Sequence, residues 1–354
     1  MNPQMLQLLR ESRGMSSSQL ASMIGVSPAT MSKIEHGFAP ADADRLDRIA
    51  TALDYPQDVL TWSDEVHGFG SSVFYHRKQQ TLPQTALRKI HANVNLTRMR
   101  LARLTRSIDI EPRYGIPALD VQELGGAVEA ARAVRAAWSL PLGPVRNMAS
   151  ALERAGIVIV PTDLESQKIS AVSIPPLDGA PHLIFTNVKQ PADRDRFNLA
   201  HELAHLVLHG DMTSPESAER EADEFAAEFL MPETEIRTQL KGLNLQRAAQ
   251  LKAVWRVSMA ALIRRARDLG VIDETRYRSL QVQMSQRGWR KLEPSTIDRD
   301  EPTVLRQLIR IHLDDHGYSI SELAEIAGLA VQEFAYRHGL ELPSTARRAH
   351  LRAI

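Results

Sequence analysis

The chain has 354 residues, no cysteine, and 43 basic against 43 acidic side chains, a formal charge of zero. That length holds two or three domains with cores of their own, and the missing thiols exclude disulfides and thiolate metal sites, so any metal must use His, Asp or Glu. No apolar run nears the roughly 18 residues of a membrane helix, and the opening MNPQMLQLLRESRG lacks a signal-peptide pattern, so the expectation is a cytoplasmic protein without membrane contact. Neutrality hides an uneven spread. Eight Lys/Arg and no acid lie between Arg77 and Arg106, and residues 241–354 carry 19 basic and 13 acidic side chains. Such basic surfaces suit a nucleic acid.

Residues 1–66 read as a compact helical bundle. Ser16 is placed to cap a first helix with Leu20, Ala21 and Ile24 on one face, Gly25 turns the chain, and Ser27 caps a second helix that begins with Pro28. Two helices about so tight a turn make a helix-turn-helix pattern. Residues 67–119 read as a linker followed by a basic amphipathic helix. Leu87, Ile90, Val94, Leu101, Leu104 and Ile108 form its stripe, Thr97 interrupts it, and Arg and Lys take the outer faces. Residues 120–240 read as an α+β domain with strands at IVIVP, KISAVSI and HLIFTN between helical segments. HLIFTN is either an edge strand able to pair with an extended substrate or an ordinary strand of the sheet.

Residues 241–354 are predicted helical and carry an internal echo. SSSQLASMIGVSPATM, LQRAAQLKAVWRVSMAAL and SISELAEIAGLAVQEF share a Leu followed five or six residues later by Gly-Val, Arg-Val or Gly-Leu. The last two are either further helix-turn-helix-like units or short hairpins converging on the pattern.

The chemistry concentrates in FNLAHELAHLVLHGD, Phe197 to Asp211. His201 and His205 are four apart, so a helix projects both imidazoles from one face, where they reach one ion. Glu202 sits about 100° round the helix, placed to hold a water rather than the metal. A catalytic zinc needs a third protein ligand. In SAEREADEFAAEFLMP the stripe Ala222, Phe225, Ala226, Phe229 and Leu230 faces inward, while Glu221, Glu224 and Glu228 fall opposite and read as solvated. Glu219 falls within the inward stripe, as a third ligand or as a first-turn acid supporting the helix dipole. Asp223 lies on the same side, able to hydrogen-bond a ligating imidazole. His209, about 80° off the direction of His201, reads as packing at the helix end rather than as a ligand.

RFNLAHELAHLVLH followed by EREADEFAAEFLMP resembles the ImmA/IrrE family of zinc metallopeptidases, and LASMIGVSPATMSKIEHG resembles the XRE-type, lambda-repressor-like DNA-binding domain. LKAVWRVSMAALIRRARDLGVI is similar to the helical region that follows such a peptidase core. The implied fold class is α+β and mostly helical: a helix-turn-helix bundle, a gluzincin-like peptidase domain, and a helical C-terminal region with helix-turn-helix-like units. The resemblance implies a peptidase that cleaves a repressor protein, with zinc held by His201, His205 and Glu219, Glu202 as general base, and Asp223 behind the ligands. Zinc lowers the pKa of its water toward about 7, Glu202 takes the proton, and the proton later goes to the leaving amine. The contrasting expectation is a DNA-binding factor whose peptidase-like domain senses a ligand or partner without turnover.

The helix-turn-helix resemblance places Ser27, Pro28, Ala29, Thr30, Ser32 and Lys33 toward operator DNA, since the start of the second helix faces base edges. Pro28 and Ala29 offer no side-chain hydrogen bond, and Ser17 stands where many members carry a backbone-anchoring glutamine. Residues 1–60 hold five basic and seven acidic side chains, so phosphate attraction is weak unless the basic helix adds to it. The domain is otherwise a protein-docking module, and a homodimer is a candidate assembly.

Overall fold

Small polar residues start the N-terminal helices. Asn2, Ser16, Ser27 and Asp42 each accept a backbone N–H in the first turn of α1 (Pro3–Ser12), α2 (Ser17–Met23), α3 (Pro28–Glu35) and α4 (Ala43–Leu53). These caps satisfy donors that a helix start leaves unpaired. Gly25 turns the chain between α2 and α3 at φ +69°, a conformation that costs residues with a Cβ roughly 1–2 kcal/mol. Leu20, Ala21, Met31, Ile34 and Ile49 are buried, and Arg10 Nε donates to Glu35 Oε1 at 2.5 Å, tying α3 to α1.

The computed structural model describes residues 1–68, 82–117, 119–208 and 215–342. Beyond α4 the longer elements are α5 (Gln84–Leu104), α6 (Ala127–Ala137), α7 (Met148–Glu153), β1 (Ile157–Thr162), β2 (Ala171–Ile174), β3 (His182–Asn187), α8 (Ala192–Leu208) and α9 (Pro215–Leu230). They continue as α10 (Leu245–Trp255), α11 (Met259–Asp268), α12 (Glu274–Gln286), α13 (Val304–Arg310), α14 (Ile320–Ile326) and α15 (Val331–His338). The class is α+β and mostly helical, with a helix-turn-helix bundle at the N-terminus. Among the described residues no helix is long and apolar enough to cross a membrane.

Two compact units form. One comprises Met1–Val66, Met99–Ile108 and the chain from Arg306; the other comprises His67–Arg98 and Asp109–Leu305. In the first, the C-terminal hairpin α14–α15 joins the N-terminal helices. Arg13 Nη2 donates to Glu333 Oε2 at 2.8 Å, and Arg100 Nε to the Ala327 carbonyl at 3.0 Å. Gly328, at φ +59°, is the turn of that hairpin, and a Cβ there would lie 2.6 Å from Val59 and Trp62 side chains. Only glycine fits so close an approach.

The echo in the sequence has a stereochemical counterpart. Gly25, Arg256 and Gly328 each stand five residues after a leucine (Leu20, Leu251 and Leu323), and all three have positive φ, at +69°, +56° and +59°.

The second unit stacks helices on a three-stranded sheet of order β1–β3–β2, with β1 parallel and β2 antiparallel to β3. HLIFTN is therefore the central strand. Both its edges are paired, so it cannot be the edge that receives a substrate; β2 is the edge beside α8. Apolar faces of α6, α8 and α9 close the core through Trp138, Leu199, Leu203, Phe225 and Phe229. Trp138 meets Phe229 edge-on at 6.0 Å, and Phe225 stacks on Phe229 at 5.7 Å, arrangements favoured by the ring quadrupole.

The basic helix departs from its expected form. Arg77 and Lys78 lie outside the described residues. Thr97, which interrupts the apolar stripe, donates its hydroxyl to the Asn93 carbonyl one turn back, and the helix runs on through it. Not all its arginines face outward: Arg98 is buried and pairs with Asp178 at 2.6 Å, while Arg100 is buried in the other unit. Arg103 pairs with Asp64 at 2.6 Å and covers the Trp62 ring at 3.6 Å. Guanidiniums used internally in this way are withdrawn from phosphate contact.

Candidate functional site

On α8, His201 and His205 project from one face as their spacing requires, with Nε2 atoms 3.2 Å apart. Glu219 enters from α9, its Oε2 3.8 Å from His201 Nε2 and its Oε1 3.5 Å from His205 Nε2. One ligand atom from each of the three lies within 4.8 Å of the others. Two nitrogens about 2.0–2.1 Å from one tetrahedral ion stand about 3.3 Å apart, so the observed separation suits such an ion. Glu219 Oε1 is shut off from solvent without a hydrogen-bond partner among the described residues. A cation between the three groups would satisfy it, and the donor set fits zinc. His209 lies outside the described residues.

The surroundings bias these groups. Burial opposes charge on His201, but the Asp223 carboxylate that accepts from its ring and the nearby carboxylates of Glu219 and Glu202 outweigh it and raise the imidazole to about 9. Burial likewise opposes charge on Glu219, yet the two imidazoles hold its carboxyl down at about 2. The acidic groups around His201 thus favour positive charge at this point, as a bound cation would supply. Asp223 Oδ1 lies 3.0 Å from His201 Nδ1, on the ring edge away from Glu219. That contact orients the ring, and Arg264 Nη1, donating to Asp223 Oδ2 at 3.0 Å, holds the carboxylate in turn.

Glu202 is 1% exposed and accepts a hydrogen bond from Ser173 Oγ at 2.6 Å. Ser173 belongs to β2, a strand visible in KISAVSI, but no motif singles out its hydroxyl. Arg264 was equally unmarked. Glu228 corrects the sequence reading: it is not solvated but 1% exposed, bonded to Arg265 and, at 2.8 Å, to Arg132 Nε. Guanidiniums from α11 and α6 converge on it, which periodicity within α9 alone does not reveal.

Residues 152–267 match the family model described as the IrrE N-terminal-like domain, Peptidase_M78. Residues 6–60 match the family model described as Helix-turn-helix. The chain carries both domains. The first match indicates a peptidase-family domain and the second a DNA-binding regulator. No curated protein matches the chain.

In the helix-turn-helix domain, Ser27, Pro28, Ala29, Ser32 and Lys33 are exposed and Thr30 is half-buried. Ser27 and Thr30 are committed to each other, with hydroxyls 2.8 Å apart and Ser27 Oγ capping the Thr30 N–H at 3.1 Å. Ser32 and Lys33 remain as the exposed polar side chains of that set outside this pairing. Just beyond α3, His36 and Phe38 stack at 6.2 Å, with Phe38 82% exposed. Ser17 Oγ is buried without a partner among the described residues, while Gln19 side-chain Oε1 accepts from the Ser16 N–H.

Proposed function

We propose that the chain is a transcriptional regulator whose IrrE-like domain is a zinc-dependent endopeptidase acting on a repressor-like protein. The observation that supports this best is the convergence of His201, His205 and Glu219 around one point, with Glu202 held beside it by Ser173. We assign His201, His205 and Glu219 as ligands, Asp223 as the group that orients His201, and Glu202 as general base. When bound, zinc would supply Lewis-acid activation of a water and of a peptide carbonyl. Glu202 would accept the proton of the attacking water and return it to the leaving amine. Ser173 would keep one carboxylate oxygen fixed so that the other faces that water. Among the described residues no strand pairs with the outer edge of β2, and such an edge would suit an extended substrate.

The domain assignments of this reading are 1–66 for operator binding, 120–240 for the peptidase, and 67–119 and 241–354 for the connecting and C-terminal helices. Lys33 and Ser32 would meet the DNA. The deciding experiment incubates the zinc-loaded chain and its Glu202→Gln variant with the repressors encoded beside its gene. The reading expects about one zinc in both proteins and cleavage by the parent alone; equal cleavage by the variant would remove Glu202 from its role.

The second reading is a DNA-binding factor whose peptidase-like domain senses a ligand without turnover. The depth of the centre favours it, since His201 is 7% and Glu202 1% exposed. Specific operator binding together with no cleavage of any candidate repressor would select it.

A further inference from the structure

A second concavity lies in the unit that holds the candidate metal centre. It encloses 1060 Å³ between α8, α9, the approach to β2, and the pair α11 and α12. Among the described residues, His201, Glu202, His205 and Glu219 do not line it, whereas Asp223 does. The cavity thus meets His201 from the Nδ1 side, and the three candidate ligands converge on the Nε2 side.

Its wall presents donors that the protein leaves unmatched. Arg194 and Asn198 both line it and stand one turn apart on a single face of α8. Asn198 Nδ2 is shut off from solvent with no hydrogen-bond partner among the described residues, a state that costs roughly 1–3 kcal/mol. Arg194 donates to the Arg290 carbonyl and meets no described carboxylate at ion-pair distance. Other arginines of the wall differ: Arg264 pairs with Asp223 at 3.0 Å and Arg267 with Asp268 at 2.7 Å. An uncompensated cation and an unpaired N–H donor side by side select an anion with acceptor oxygens. Phe197, Leu269 and Tyr277 supply apolar surface beside them.

We propose that this cavity binds a small amphipathic organic anion, its carboxylate, sulfonate or phosphate held by Arg194 and Asn198 and its apolar body against Phe197, Leu269 and Tyr277. The volume lies just above the range of small-ligand pockets, about 300–1,000 Å³, so such an anion fits with room to spare. The inference is independent of peptide-bond cleavage, and it stands whether or not the metal centre turns over.

The test titrates the full-length chain with the anionic dye 8-anilinonaphthalene-1-sulfonate and, in parallel, with N-phenyl-1-naphthylamine, its uncharged counterpart, following fluorescence. The anion should saturate at about one dye per chain and bind about tenfold more weakly to Arg194→Met and to Asn198→Leu. Arg194→Lys should retain most of the affinity, and melting curves should show each variant folded. The neutral dye should be insensitive to Arg194→Met. Octanoate should displace the anionic dye. Equal binding of the two dyes, or affinity unmoved by both substitutions in folded protein, would overturn the proposal. Displacement by an acidic peptide but not by octanoate would overturn the small-molecule assignment.

Discussion

Ser173 Oγ donates a 2.6 Å hydrogen bond to Glu202 Oε2 from a strand 29 residues earlier in the chain. The bond reaches an almost fully buried carboxylate, where charge-assisted hydrogen bonds are strongest. Its expected role is to hold Glu202, the proposed general base, in one rotamer. Ser173→Ala should lower kcat by about 10–100-fold with KM nearly unchanged and zinc content intact, the loss of a bond worth roughly 1.5–3 kcal/mol. Ser173→Thr should restore much of the rate. A change confined to KM would place Ser173 in substrate binding instead.

Asp223 contacts His201 on the side away from Glu219. Substituting Asp223→Asn keeps the shape but loses the negative charge that favours a metal-binding imidazole. Zinc affinity, measured by competition with a chromogenic chelator, should fall about 10–100-fold. An unchanged affinity would mean that ring packing alone orients His201.

Glu228 is buried with guanidiniums on two sides, and its carboxylate also receives the Glu233 N–H. Glu228→Gln leaves Arg265 buried without its counter-charge, a change that typically costs about 3–5 kcal/mol. Urea unfolding should show that loss in the unit holding the candidate metal centre. A shift within about 0.5 kcal/mol, the range of an ordinary surface substitution, would contradict the buried pairing.

Burial, reinforced by Arg337 and Arg100, depresses His338 to about 4, and Phe334 packs on its ring at 4.5 Å. The unfolded chain takes up this proton near 6.5, the folded chain only near 4. Between those values the unfolded state binds more protons, so stability is full above pH 6.5 and declines as pH falls toward 4. The loss is at most about 3 kcal/mol. Melting temperatures of the parent should drop through that window, and His338→Asn should flatten the slope. A parallel drop in both proteins would assign the acid sensitivity elsewhere.

What the sequence by itself determined is what a single element determines. Ser16, Ser27 and their polar partners mark helix starts because caps act within a few residues. The four-residue spacing of His201 and His205 places both on one face, and the periodicity of α9 turns Glu219 inward with Ala222. The turn at Gly25 was legible for the same reason. Pairings between distant segments were decided only by tertiary structure. Nothing within β2 singles out Ser173 as the donor to Glu202. Nothing within HLIFTN announces that strands will cover both its edges. Glu228 reads as solvated on its own helix and is buried because Arg132 and Arg265 arrive from others. Arg98 and Arg100 look like DNA-facing cations until Asp178 and the Ala327 carbonyl draw them inward. Periodicity gives a side chain's direction about its own axis; which partner waits in that direction depends on how the elements pack.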